Sequence, residues 1–260
     1  SPQAYFCQNP DGRIFFAIPY EDDFTLVGTT DADHQGPLDN ITATPDEIAY
    51  ICKSARAYFK QDMTPADVIW SYAGVRPLVD DGSGKPETAS RGYHFDVDTD
   101  DTGGAPMLSV FGGKITTYRH LAESAIGKLS AFLPILSGPG WTLGKPLPGG
   151  SFPLDGRAAV GASLQADYPF IDPRLTQRLV RSYGLLARIW LTDAKQLADL
   201  GAHFGHGLYQ SEVDHLIDRE WARSADDILW RRSKLGLRFS ADETARLQSY
   251  VLAAARQESV

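Results

Sequence analysis

Two apolar, β-branched runs stand near the start of the chain, "RIFFAIPY" (13–20) and "FTLVGTTD" (24–31), with the acidic tripeptide Glu21, Asp22, Asp23 between them. Such runs around a short polar turn predict a β-hairpin. The pattern then changes period. Thr44, Pro45 and Glu47 supply an N-cap, a first-turn proline and the third-position carboxylate of a capping box, and Ile48, Ile51, Cys52, Ala55 and Phe59 recur at helical spacing behind them. A second cap-like start at Thr64 and Pro65 leads into "VIWSYAGVRPL" (68–78), which reads as a buried strand. The stretch "GYHFDVDTDDTGGAPMLSVF" (92–111) reads as two more strands around a turn rich in Asp and Gly. From Thr117 the stripe Tyr118, Leu121, Ala122, Ala125, Ile126 and Leu129 predicts a second helix.

Beyond Pro134 the pattern lapses. The segment "PILSGPGWTLGKPLPGGSFP" (134–153) is too rich in Pro and Gly for a long helix or strand and reads as a linker. Past it the periodicity is helical nearly throughout: Leu175, Leu179, Tyr183, Leu186 and Trp190 share a face, and Ser240 with Glu243 makes a capping box ahead of Leu247 and Val251. The expected fold class is α+β. A first domain (1–136) carries a mixed or antiparallel sheet, a linker follows (137–152), and a small all-α domain (153–260) closes the chain. No internal repeat or low-complexity tract interrupts this order.

Composition narrows the function classes. With 260 residues, 43% of them hydrophobic, the chain can bury a sizeable core. The formal charge of −8 argues against nucleic acid as a partner, because phosphate-backbone binding needs a whole face of clustered Lys and Arg. Any anionic ligand must be held locally. Cys7 and Cys52 are the two cysteines, far apart and outside any C-x-x-C arrangement, so neither a disulfide framework nor a zinc site is indicated and a reducing cytoplasm fits best. No run approaches the length of a membrane span, and the start "SPQAYFCQNP" lacks the regions of a signal peptide. Entry into a strand pattern within a few residues, with no start Met, reads as a piece of a longer protein.

The chemistry concentrates in "SVFGGKITTYR" (109–119). A strand that turns through Gly112 and Gly113 into a helix gathers unpaired backbone N–H groups and the positive end of the helix dipole at one point, with no side chain in the way. Lys114 adds a full charge there, and Thr116 and Thr117 add hydroxyls. The same residues also suit a plain tight β-to-α connection with a solvated lysine. Arg76, at the end of an aromatic and apolar stretch and held extended by Pro77, either meets a buried carboxylate or grips an anionic ligand with its fork of donors. Other features carry less. His203, His206 and His215 with Asp214 match no common metal spacing and read as surface or capping histidines. The basic run "RRSKLGLR" (231–238) reads as a solvated helix face. No G-x-G-x-x-G follows a strand, so the main phosphate site of a dinucleotide is not expected on this chain.

The segments "IPYEDDFTLVGTTD", "IWSYAGVRPL", "LSVFGGKITTYRHLAE" and "ADDILWRRSKLGL", in that order, resemble the FAD-dependent, quinone-linked glycerol-3-phosphate dehydrogenases over essentially the whole chain. The resemblance implies that the chain begins partway through the family's sequence, after its amino-terminal FAD-binding segment. It implies that Gly112, Gly113, Lys114 and Thr116 contact the flavin, that Arg76 holds substrate, and that the hairpin strands roof the substrate pocket. It further implies oxidation of sn-glycerol 3-phosphate to dihydroxyacetone phosphate with electrons passed to quinone, a homodimer, and peripheral contact with the inner face of the cell membrane. The proton from the C2 hydroxyl would go to a desolvated Lys114 or to a residue outside this chain. An FAD-dependent amine or hydroxy-acid oxidase of the same architecture, and a non-catalytic assembly module using "RRSKLGLR", are the alternative readings.

Overall fold

The computed structural model describes residues 3–30, 34, 36–39, 41–76, 92–99 and 104–257. It divides into two compact units, 1–145 and 146–260, so the boundary falls inside the Pro- and Gly-rich segment.

In the first unit, strands β1 (Tyr5–Gln8), β2 (Ile14–Tyr20) and β3 (Phe24–Gly28) form an antiparallel sheet in chain order. The acidic tripeptide makes the β2–β3 turn, with Glu21 and Asp22 both at positive φ, a conformation that Asp tolerates well and that neither residue resists as a β-branched side chain would. Alternation along β2 sends Phe15 and Ala17 to one face, where they are buried with Cys52 and Ala55 of helix α1 (Pro45–Tyr58). The capping box of α1 is present as the residues predict: the Thr44 hydroxyl accepts from the Glu47 amide, and the Thr44 amide donates to the Glu47 carboxylate at 2.8 Å. The buried Asn9 ties the β1–β2 turn to this helix, its amide donating to Tyr50 at 2.8 Å and to Ser54 at 2.7 Å. On the opposite sheet face, Phe6, Ile14 and Phe16 are exposed.

The stretch 68–76 departs from expectation. It forms no strand, and Ile69, Tyr72 and Val75 are exposed, with Trp70 stacked on Tyr72 at 4.9 Å. A strand exists only where a neighbour completes its backbone hydrogen bonds, and no ladder among the described residues includes this stretch. The apolar and aromatic run signalled a buried strand here, and neither pairing nor burial follows from such a run alone. Strands β4 (Tyr93–Asp98) and β5 (Met107–Gly112) do pair as the sequence predicts, antiparallel with Tyr93 opposite Gly112. All strand pairs among the described residues are antiparallel. A single 3₁₀ turn (Ile115–Thr117) joins β5 to helix α2 (Tyr118–Leu129).

The second unit holds one large core, built from helices α3 (Arg157–Asp167), α4 (Pro173–Tyr183), α5 (Ala187–Leu191), α6 (Gln210–Glu220) and α7 (Ala241–Gln257). Leu164, Leu179, Leu191, Leu216 and Leu247 are fully buried in it. The apolar face from Leu175 to Trp190 is split between two helices, because Gly184 at φ +54° ends α4 and a short 3₁₀ turn restarts the chain as α5. The unit is also not purely helical: β6 (His203–Gly205) and β7 (Leu208–Tyr209) make a small hairpin, turned by His206 and Gly207 at positive φ. The run 231–238 is not a regular helix face either. A π-helical turn (Asp227–Arg232) and a 3₁₀ turn (Leu235–Leu237) occupy it. Its cations serve the fold, with Arg231 on Asp227, Arg232 on the Glu220 carbonyl and Lys234 on the Trp230 carbonyl.

Candidate functional site

The residues singled out between Gly112 and Thr116 stand together at the β5–α2 junction. Pairing of β4 with β5 carries the chain to Gly112 (φ +74°), and Gly113 (φ +103°) then swings it away from the sheet while its amide donates to the Gly92 carbonyl at 2.9 Å. An L side chain at either glycine would be strained, and a Cβ on Gly113 would lie 3.2 Å from Leu121 Cδ1 and 3.6 Å from Tyr93 Cβ. The turn that follows is tied to itself: the Thr117 amide and hydroxyl both donate to the Lys114 carbonyl at 3.0 Å. No side chain caps the start of the 3₁₀ turn or of α2.

This junction fits an electron-rich, partly apolar ring. Lys114 and Thr116 are exposed beside the uncapped turn, Ile115 is 88% exposed, and Tyr118 and Phe111 add exposed aromatic surface on either side. Uncapped N–H groups and an ammonium at one point favour negative charge, while the apolar neighbours suit a flat aromatic body. Lys114 is therefore a charge at the surface of the junction and not one withdrawn into a core.

Arg76 is exposed at the end of the extended stretch 68–76, and Pro77, which was to hold it extended, lies outside the described residues. The histidines do not gather. His203 Nε2 accepts from the Gly207 amide, His206 faces Glu243 at 3.8 Å, and His215 is buried in the helical core. Among the described residues no group of three or more His, Cys, Asp or Glu side chains converges as a metal site would require.

One pair at the junction had no signal in the sequence. The Tyr93 hydroxyl and His120 Nδ1 share a hydrogen bond of 2.7 Å, with Ser124 Oγ 3.3 Å from the same hydroxyl. Tyr93 is on β4 and His120 is in the first turn of α2, 27 positions later, so no local pattern could have joined them. Further along α2, Glu123 accepts from the Thr142 hydroxyl and amide, and these bonds hold its carboxyl below the usual carboxylate range.

Residues 1–119 match the family model described as FAD dependent oxidoreductase, and residues 141–258 match the C-terminal domain of alpha-glycerophosphate oxidase. The chain is 42% identical over 250 residues to the aerobic glycerol-3-phosphate dehydrogenase of Escherichia coli (strain K12), covering 96% of this chain and 49% of that protein. It is 47% identical over 250 residues to the glycerol-3-phosphate dehydrogenase of Pseudomonas aeruginosa, covering 95% and 48%. It is also 42% identical over 242 residues to the D-erythritol 1-phosphate dehydrogenase of Brucella abortus (strain 2308), covering 93% and 48%. The chain spans about half the length of the curated relatives it matches.

Proposed function

From the match of residues 1–119 to the FAD dependent oxidoreductase model and of residues 141–258 to the C-terminal domain of alpha-glycerophosphate oxidase, we propose that the complete protein oxidises sn-glycerol 3-phosphate to dihydroxyacetone phosphate, with FAD as cofactor and quinone as the final acceptor. The observation that carries this reading is the alignment, over nearly the whole chain, with relatives named as glycerol-3-phosphate dehydrogenases. FAD, when bound, supplies the two-electron acceptor for the alcohol carbon. The chain's own part is positional and electrostatic. Gly112 and Gly113 would let the backbone approach the ring closely, Lys114 and the uncapped turn would supply positive charge to favour the reduced, negatively charged form, and Thr116 would offer a hydroxyl. We assign Arg76 to the substrate, where its planar guanidinium grips phosphate oxygens of a dianion. The apolar sheet face of Phe6, Ile14 and Phe16 is the face assigned to the pocket roof.

The test is dye reduction by the complete, FAD-loaded protein supplied with sn-glycerol 3-phosphate; a flavin-bearing protein inert to that substrate rejects the reading. A second polyol phosphate belongs in the same assay. The relative named D-erythritol 1-phosphate dehydrogenase matches as closely as the Escherichia coli protein does, so D-erythritol 1-phosphate is the competing substrate. The higher kcat/KM of the two decides. Arg76→Ala should abolish turnover of either, since both carry the phosphate it is assigned to hold.

Two further parts of the reading concern assembly: a homodimer, and a cytoplasmic enzyme in peripheral contact with the inner face of the membrane. No described helix is long and apolar enough to cross a membrane. Sedimentation velocity of the complete protein tests the first, and co-sedimentation with anionic vesicles tests the second.

A further inference from the structure

The β5–α2 junction is anchored on both sides at the start of β4, by Gly92 just before the strand and by Tyr93, its first residue. On the incoming side, the Gly113 amide donates to the Gly92 carbonyl at 2.9 Å. On the outgoing side, the Tyr93 hydroxyl reaches across to His120 Nδ1 at 2.7 Å, in the first turn of α2. Gly92 immediately precedes Tyr93, the first residue of β4, so both ends of the 113–120 segment are pinned to the start of that strand. Between the pins lie Lys114, Ile115 and Thr116, all exposed, joined to the rest of the chain by a single 3₁₀ turn. The segment's own bonds, from Thr117 to the Lys114 carbonyl, close the turn but do not attach it to β4. Its shape depends on its two ends.

The pin is also well built. Tyr93 lies opposite Gly112 in the strand register, its ring is braced by Phe95 at 5.1 Å, and Ser124 Oγ, one turn beyond His120, offers the hydroxyl a second partner at 3.3 Å. Tyr93 and Leu121 together floor the glycine turn, as the contacts a Gly113 Cβ would make show. One aromatic side chain therefore packs beneath the turn and holds the helix that follows it.

We propose that Tyr93, acting through its hydrogen bond to His120, is a positioning residue that fixes Lys114 and the uncapped turn amides toward the flavin ring; the flavin half of this statement rests on the reading of the preceding section. Tyr93→Phe keeps the ring and removes only the pin. His120→Leu removes the hydroxyl's partner, and His120→Asn keeps a polar side-chain atom near the position of Nδ1.

The experiment compares these variants in the complete protein by two readouts. Amide hydrogen exchange over residues 113–121 reads the pin with or without flavin, and equilibrium reduction of bound FAD reads its consequence. Loss of one such hydrogen bond should speed exchange in this segment roughly two- to tenfold in Tyr93→Phe and His120→Leu, with His120→Asn close to the parent. The double variant Tyr93→Phe/His120→Leu should add little to either single change. In the same order, the reduced flavin should become harder to form. Unchanged exchange in Tyr93→Phe overturns the pin itself. Faster exchange with an unchanged reduction equilibrium overturns its role toward the flavin. A parent protein that takes up no FAD rejects the proposed function instead, while exchange still decides the pin.

Discussion

Gly149 and Gly184 face each other so closely that a Cβ on Gly149 would lie 2.2 Å from the Tyr183 carbonyl oxygen, and one on Gly184 would lie 2.3 Å from the carbonyl oxygen of Gly149. The contact is sealed by the Leu185 amide donating to that Gly149 carbonyl at 3.0 Å. It is here that the Pro- and Gly-rich segment joins the helical unit, against the break between α4 and α5. Both glycines are at positive φ, +81° and +54°, so a side chain meets strain and collision together.

Gly149→Ala and Gly184→Ala should therefore each destabilise the helical unit by about 3 kcal/mol or more, as backbone strain of about 1–3 kcal/mol adds to a clash that no side-chain rotation relieves. Urea unfolding followed by helical circular dichroism measures this. Because the two residues share one contact, the double variant should cost clearly less than the sum of the single changes.

Arg178 and Glu212 give a second test inside the same unit. The guanidinium meets both carboxylate oxygens at 2.7 Å, the carboxylate is fully buried, and Tyr183 donates to it at 2.6 Å. Arg178→Ala strands a buried charge and should cost about 3–5 kcal/mol. Replacing the pair together, Arg178→Met with Glu212→Leu, removes the charge as well as its partner. That variant should unfold at a higher urea concentration than Arg178→Ala, which a direct comparison of midpoints reads.

Where the sequence was legible, the cause is local. Thr44 and Glu47 are three residues apart and make their capping box with no help from the rest of the chain, and the same holds for Ser240 and Glu243, whose side chains bond each other's backbone in the fold. Gly112, Gly113 and Lys114 were legible for the same reason, since a strand, two glycines and a helix start are one contiguous event. The stretch 68–76 misled because a strand is a relation between two segments, and its own residues report only half of it. Tyr93 and His120 were invisible because their meeting depends on β4 pairing with β5 and on the angle at which α2 leaves Gly113. The split of the Leu175 to Trp190 face escaped notice because the 3₁₀ turn at Gly184 keeps the buried face nearly in phase. The hairpin at 203–209 was too short for period-2 alternation to show.

Two glycines of unlike environment, one before α2 and one inside it, separate strain from propensity. Gly113→Ala places a side chain at φ +103° against Leu121 and should cost about 1–3 kcal/mol. Gly127, inside α2, has open space where a Cβ would stand, so Gly127→Ala should stabilise the same helix by about 0.5–1 kcal/mol. Thermal unfolding of the two variants should move the midpoint in opposite directions. Only Gly113→Ala should also weaken FAD retention in the complete protein, because Gly127 lies about two and a half turns along the helix from its start at the junction.

Tyr250 supplies the last prediction, through its hydroxyl donating to Asp214 at 2.6 Å. Burial first, and this bond to a carboxylate second, push the phenol up to about 12. In the unfolded chain it ionises near its ordinary value of about 10. Between these values the folded state holds a proton that the unfolded state has lost, so the contribution is complete below about pH 10 and drains away as pH rises toward about 12. Tyr183, raised by burial and by Glu212, acts in the same direction, so the parent alone cannot isolate one residue. The difference between the parent and Tyr250→Phe can. The variant should be less stable by about 1 kcal/mol at about pH 8, for the hydrogen bond it lacks. That gap should close as pH is raised through the window, because the parent loses what the variant never had. A gap that stays constant from about pH 8 to above about 11 would show that Tyr250 titrates alike in both states and that its bond to Asp214 carries no linkage.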